Sequence, residues 1–119
     1  MRDNQLVALS KQFAVDMIQL CEAMKMRGRA TAIINQLLRS GTSIGANIHE
    51  ANYASSKADF INKFQIALKE CYETDYWLGV FCEAGILSKD EYDKAFAQSS
   101  KIRKLLIASV TTAKQNLEA

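Results

Sequence analysis

Apolar residues recur at steps of three and four along nearly the whole chain, in four separate stretches. In the first, Leu6, Leu9, Phe13, Met17, Leu20 and Met24 form one face of an amphipathic helix. Lys25-Met26-Arg27-Gly28 ends it, and Gly28 suits the left-handed residue that follows a helix end. The second stretch carries Ile34, Leu37, Gly41, Ile44, Ile48 and Ala51 and runs to about Ala54. Ser56-Lys57-Ala58-Asp59 then reads as a capping box with Asp in place of Glu. Phe60, Phe64, Ala67, Cys71, Thr74, Leu78 and Phe81 form the third stripe, which Gly85 stops. Ser88-Lys89-Asp90-Glu91 is a second capping box, and Tyr92, Phe96, Ser99, Ile102, Leu106, Val110, Ala113 and Leu117 complete the fourth.

The pattern predicts helices near residues 4–26, 29–54, 57–84 and 89–116. Connections of a few residues force consecutive helices to be antiparallel neighbours. The expected fold is therefore all-α, an up-down-up-down antiparallel four-helix bundle, with residues 1–119 forming a single domain. The absence of proline leaves nothing to interrupt the long helices.

Composition narrows the function classes. Apolar residues make up 49% and charged residues 24%, the balance of a soluble globular protein. No apolar run approaches the roughly 20 residues that span a bilayer, and Asp3, Asn4 and Lys11 break up any signal-like start. Cys21, Cys71 and Cys82 lack paired metal-ligand spacing and read as reduced core residues, which points to the cytoplasm.

Candidate chemistry is sparse. SGTSIGANIHEA is not a phosphate loop, because Ala46-Asn47 follows Gly45 where Lys-Ser or Lys-Thr is needed. His49-Glu50 opens like a zinc-protease motif, but Tyr53 stands where the second histidine belongs. Glu70, Glu73 and Asp75 could face a bundle core, yet the di-metal pattern needs two Glu-x-x-His motifs and none is present. The expectation is no catalytic set, metal or cofactor. His49, Glu50 and Glu73 are the best candidates for an enzymatic alternative.

The second helix holds more information. Two interior glycines cost about 2 kcal/mol relative to alanine, so a close helix–helix approach at Gly41 and Gly45 is expected to offset them. Gln36, Ser40, Ser43, Asn47 and Glu50 fall within one arc of about 80° beside the apolar stripe. Three readings stand for this arc: a solvated flank, a subunit interface, and a ligand or nucleic-acid groove.

RSGTSIGANIHEA followed by SSKADFINKFQIALKECYETDYWL resembles the four-helix-bundle proteins encoded by 23S rRNA intervening sequences. The resemblance rests on Arg39, Ser40, Ser43, Ile44, Ala46, Asn47, Ile48, Glu50, Ser56, Lys57, Phe60, Ile66, Ala67 and Glu73. Many relatives have proline where Gly45 stands, Glu-Gly where Glu50-Ala51 stands, and serine at the position of Glu70. The fold also resembles the accessory variability proteins of diversity-generating retroelements. Together these resemblances imply a ring-shaped homo-oligomer, a pentamer. The retroelement branch further implies binding to nucleic acid and to a reverse transcriptase. In the intervening-sequence branch, "ribosomal" marks a gene location rather than an activity.

The formal charge of +2 is small, but it is unevenly distributed. Lys25, Arg27 and Arg29 in the first connection are expected beside Glu83, Asp90, Glu91 and Asp93 around the third. That juxtaposition suits either a ring contact between subunits or pairing within the chain. Arg39, Lys63, Lys69, Lys101, Arg103 and Lys104 lie along the middles of three helices. They form either a solvated face or, repeated around a ring, a basic belt for the phosphate backbone of RNA or DNA. The expected function is a non-catalytic, nucleic-acid-associated accessory or scaffold protein. The alternative is a scaffold that binds another protein and has no nucleic-acid role.

Overall fold

Each of the four apolar stripes becomes one helix, and the chain reverses wherever a glycine or a serine box interrupts the stripe. The computed structural model describes residues 4–118. It contains α1 (Asn4–Met26), α2 (Thr31–Ala51), α3 (Lys57–Glu83) and α4 (Lys89–Glu118), with no strand among the described residues. The helices run up, down, up and down in a rod of 52 × 21 × 19 Å. Neighbours in sequence pack closely, whereas α1 and α4 meet only sparsely. Among the described residues no helix is long and apolar enough to cross a membrane.

The helix ends follow local chemistry. Gly28 and Gly85 adopt φ of 74° and 75°, closing α1 and α3 in the left-handed region open to glycine. The Ser56 hydroxyl accepts from Asp59 N–H at 3.0 Å, and the Asp59 carboxylate accepts from Ser55 N–H at 3.1 Å. The shorter acid thus closes its box one residue earlier than Glu would. In the second box, Ser88 and Glu91 exchange both bonds, at 3.1 and 2.9 Å. α2 is shorter than the apolar pattern predicts. Ala30 takes φ 51° and starts the helix at Thr31, while Tyr53 and Ala54 form only three-residue turns after Ala51.

The core runs the length of the rod. All six positions expected from α2, including Gly41, are buried. In α1, Leu9 and Leu20 are only partly buried, and Ser10 and Cys21 take the core positions beside them. The glycines explain this shift. A Cβ on Gly41 would lie 2.7 Å from Met17 Cγ, and one on Gly45 would lie 3.0 Å from the Ser10 carbonyl oxygen. The groove left by the glycines is therefore filled by α1 of the same chain, and α1 turns its small residues toward α2.

The first and third connections share one end and are fastened there. Arg27 forks onto Glu91 at 2.7 and 3.0 Å and also donates to the Ile86 carbonyl. Arg29 donates to the Ala84 carbonyl at 3.0 Å, and Lys25 to the Asn35 amide oxygen at 2.5 Å. Of the two readings of this charged end, pairing within the chain describes Arg27 and Glu91. Arg27, the largest cause, holds the Glu91 carboxyl down at about 2.

Candidate functional site

Two polar layers cross the bundle, and they determine which charged residues are free to act outside it. On the α2–α3 side, the Thr74 hydroxyl donates to Ser40 Oγ at 3.0 Å, and both residues are fully buried. Above them Arg39 bridges two acids, Glu73 at 2.6 Å and Glu70 at 3.2 Å. Glu73 also accepts from Trp77 Nε1 at 3.2 Å. Its carboxyl is held below the usual range, chiefly by the Arg39 hydrogen bond. Further down the same seam Lys63 pairs with Glu50 at 3.4 Å.

On the α3–α4 side, Asp75 accepts from Ser99 Oγ at 2.7 Å and from Arg103 Nη1 at 2.6 Å. Both members of this ion pair are largely buried. Desolvation is the dominant influence on Asp75 and raises its carboxyl above the ordinary value, although Ser99 and Arg103 oppose it. The Arg103 guanidinium lies 5.8 Å from the ring centre of Tyr72 and 5.8 Å from that of Phe96. Across the sparse α1–α4 seam, Gln98 donates to Asp16 at 2.8 Å.

These contacts sort the mid-helix cations. Arg39, Lys63 and Arg103 hold ion pairs across helix seams, the Arg103 pair largely buried and the other two at the surface. Lys69 is exposed, with its charge close enough to Glu73 to help lower that carboxyl. Lys101 and Lys104 are exposed and outside any salt bridge among the described residues. Lys94 and Lys114, which the sequence reading did not single out, share both properties. Residues 94–117 contain five basic side chains and no acidic one; Arg103 turns into the α3 seam, and the four lysines spread over an arc of about 160° on the exposed side of α4.

The polar arc of α2 is divided as well. Ser40 is inside the bundle, because its position on the edge facing α3 meets the Thr74 hydroxyl. Ser43 and Asn47 are half-buried and donate to carbonyls of their own helix, Arg39 and Ser43, at 2.6 and 2.9 Å. Gln36 is exposed, and Glu50 is exposed and paired with Lys63. Of the five, Ser40 has no surface to offer a second subunit.

The enzymatic alternative gains no geometry. His49 and Glu50 lie about 15 Å along α2 from the level of Arg39, to which Glu73 is tied. No group of three or more His, Cys, Asp or Glu side chains able to hold a metal occurs among the described residues. Burial lifts the Cys21 and Cys71 thiols to about 11 and about 12, which keeps them unreactive. At the end opposite the arginine clamp, an open groove of about 850 Å³ runs between the α2–α3 connection and α4, floored by Phe60, Phe64 and Leu105.

The 23S rRNA-intervening sequence protein family matches residues 2–108 of this chain. The chain belongs to that family. A crystal structure of a protein of unknown function from the S23 ribosomal protein family of Bacteroides thetaiotaomicron VPI-5482 is 42% identical. It superposes with a TM-score of 0.89, covering 93% of this chain and 99% of that one. No curated protein matches the chain. The family match bears out the motifs between residues 38 and 78 that suggested it.

Sequence reasoning missed the outward face of α3 in this family member. Tyr72 and Tyr76 are 54% and 62% exposed. They stand one and two residues off the core stripe of Cys71, Thr74 and Leu78, about 100° and 140° around the helix from Cys71. That offset was the available signal.

Proposed function

We propose that this family member is a non-catalytic accessory protein that forms a ring-shaped homo-oligomer, with five subunits favoured, and associates with nucleic acid through phosphate contacts. The observation that carries the nucleic-acid part is the α4 ridge, where Lys94, Lys101, Lys104 and Lys114 are exposed and no acidic side chain interrupts residues 94–117. Four cations on one subunit bind a phosphate backbone weakly, and repetition around a ring multiplies the contacts. The free state of Cys21, Cys71 and Cys82 suits a reducing compartment, and the reading includes a cytoplasmic location.

The second reading, a scaffold for another protein, draws on the pairing of Arg39, Lys63 and Arg103 with acids of neighbouring helices, which halves the cation set first considered. A filter-binding assay with structured RNA, single-stranded DNA and duplex DNA at low salt separates the two. The nucleic-acid reading expects binding tighter than about 100 µM, weakening steeply as salt is added. Absence of binding to all three gives the scaffold reading its place. Sedimentation equilibrium tests the ring, and a monomer at tens of micromolar rejects it.

A further inference from the structure

Tyr72 and Tyr76 sit one helical turn apart on the outward face of α3, Tyr72 toward its α4 side, with more than half of each side chain in solvent. Exposed aromatics in a bundle that buries Phe13, Phe64 and Phe81 almost completely call for a reason beyond packing. The two rings are held from beneath. Arg103, fixed by Asp75 and by Ser100 Oγ at 3.2 Å, stacks on Tyr72, while Tyr76 meets Trp77 edge-on at 5.0 Å. A Cβ on Gly79, three residues past Tyr76, would meet nothing within 4 Å, so the flank stays open beside that ring.

The charge around these rings favours a polyanion. On the neighbouring length of α3, the acids Glu70, Glu73 and Asp75 all have arginine partners, Arg39 for the first two and Arg103 for the third. Lys69 stands one turn before Tyr72 on the same face of α3, the Arg103 guanidinium lies against the Tyr72 ring, and Lys104 follows Arg103 on the exposed side of α4. The surface thus offers aromatic faces beside cations of α3 and α4, the combination that binds single strands. The spacing agrees: about 6 Å of helix separates the two tyrosines. That is too far for adjacent bases stacked in a duplex strand, about 3.4 Å apart, and fits bases that are splayed out.

We infer that the Tyr72–Tyr76 face is a stacking site for unpaired bases of a single-stranded nucleic acid whose phosphates lie on Lys69 and Lys104. This rests on the nucleic-acid reading above and names its ligand class. The test uses the full chain with labelled oligothymidylate, oligouridylate and a duplex of equal length, at low salt. Trp77, the single tryptophan, lies against Tyr76 and reports binding by quenching. The expected result is tighter binding to the single strands than to the duplex. Tyr72→Ala and Tyr76→Ala should each weaken single-strand binding about 10-fold while Tyr→Phe retains it. Melting temperature and oligomeric mass should not change. Binding that is indifferent to the tyrosines but abolished by Lys101→Glu with Lys104→Glu overturns the stacking site and leaves the nucleic-acid reading standing. A change of oligomeric mass in the alanine variants identifies the flank as a contact between copies and also overturns it. If no nucleic acid binds, both readings fall together.

Discussion

The helix seams and the outer ridge of α4 carry the same residue types to opposite ends. Arg39, Lys63 and Arg103 look no different in the sequence from Lys94, Lys101 and Lys104: each is a cation in a long helix. What separates them is the neighbour at the same height. α3 presents Glu70 and Glu73 opposite Arg39 and Asp75 opposite Arg103, so those arginines tie helices together. Between residues 94 and 117 α4 itself contains no acid, and Lys101 and Lys104 at its middle are exposed and outside any salt bridge among the described residues. A cation's role in a bundle is therefore decided by the adjoining helix more than by its own.

The largest effect should come from breaking the buried member of the first group. Arg103→Ala leaves Asp75 charged, largely buried and without its cation, and should cost about 3 kcal/mol in urea unfolding. Lys101→Ala, two positions away on the exposed ridge, should change stability by no more than about 0.5 kcal/mol. Equal effects at the two sites would remove the distinction.

A second test sharpens it for small residues. Gly45→Val drives a branched side chain into the Ser10 backbone, which cannot swing aside as a flexible side chain would. The expected loss is about 2 kcal/mol in the same unfolding measurement. Gly41→Ala should also destabilise the fold, because its Cβ would fall 2.7 Å from Met17 Cγ and 3.2 Å from Met17 Cβ, the root of a buried side chain. A glycine substitution that altered only oligomeric mass would contradict the packing of α1 into this groove.

The pH dependence gives a smaller effect. Arg27 lowers the Glu91 carboxyl to about 2, so the pair stabilises the fold fully above the unfolded value near 4.5. That contribution is lost as pH falls from about 4.5 through about 2. Both side chains are about one-third exposed, which limits it to about 1 kcal/mol. The melting temperature of the native chain should fall more over this interval than that of Arg27→Ala. Asp75 acts with the opposite sign. Burial raises its carboxyl, so its ionisation weakens the fold as pH rises through the folded value.

The legible part of this protein was whatever a single helix specifies by itself. The stripes of α2 and α3, the two serine boxes and the glycine stops all follow from spacing along one segment, and the family motif lies in the same segments. Relations across helices were not legible. Ser40 read as part of a surface arc because nothing along α2 says that Thr74 stands at its height. Arg103 read as a surface cation for the same reason, with Asp75 hidden on another helix. α1 kept Leu6, Phe13, Met17 and Met24 in the core but replaced Leu9 and Leu20 there by Ser10 and Cys21, because two glycines on its neighbour allowed the approach. Tyr72 and Tyr76 were visible as an off-stripe pair, but their exposure depends on how α4 passes them.

The most direct test of the central claim compares two charge reversals in one assay, oligothymidylate binding at low salt followed by a salt series. Lys101→Glu with Lys104→Glu should abolish binding with melting temperature and oligomeric mass unchanged, because these lysines hold no helix. Arg39→Glu should instead lower the melting temperature by opposing Glu70 and Glu73, and the folded fraction should still bind with nearly the native salt slope. Binding that survives the α4 reversal and disappears with Arg39→Glu in a protein of native stability would contradict the account.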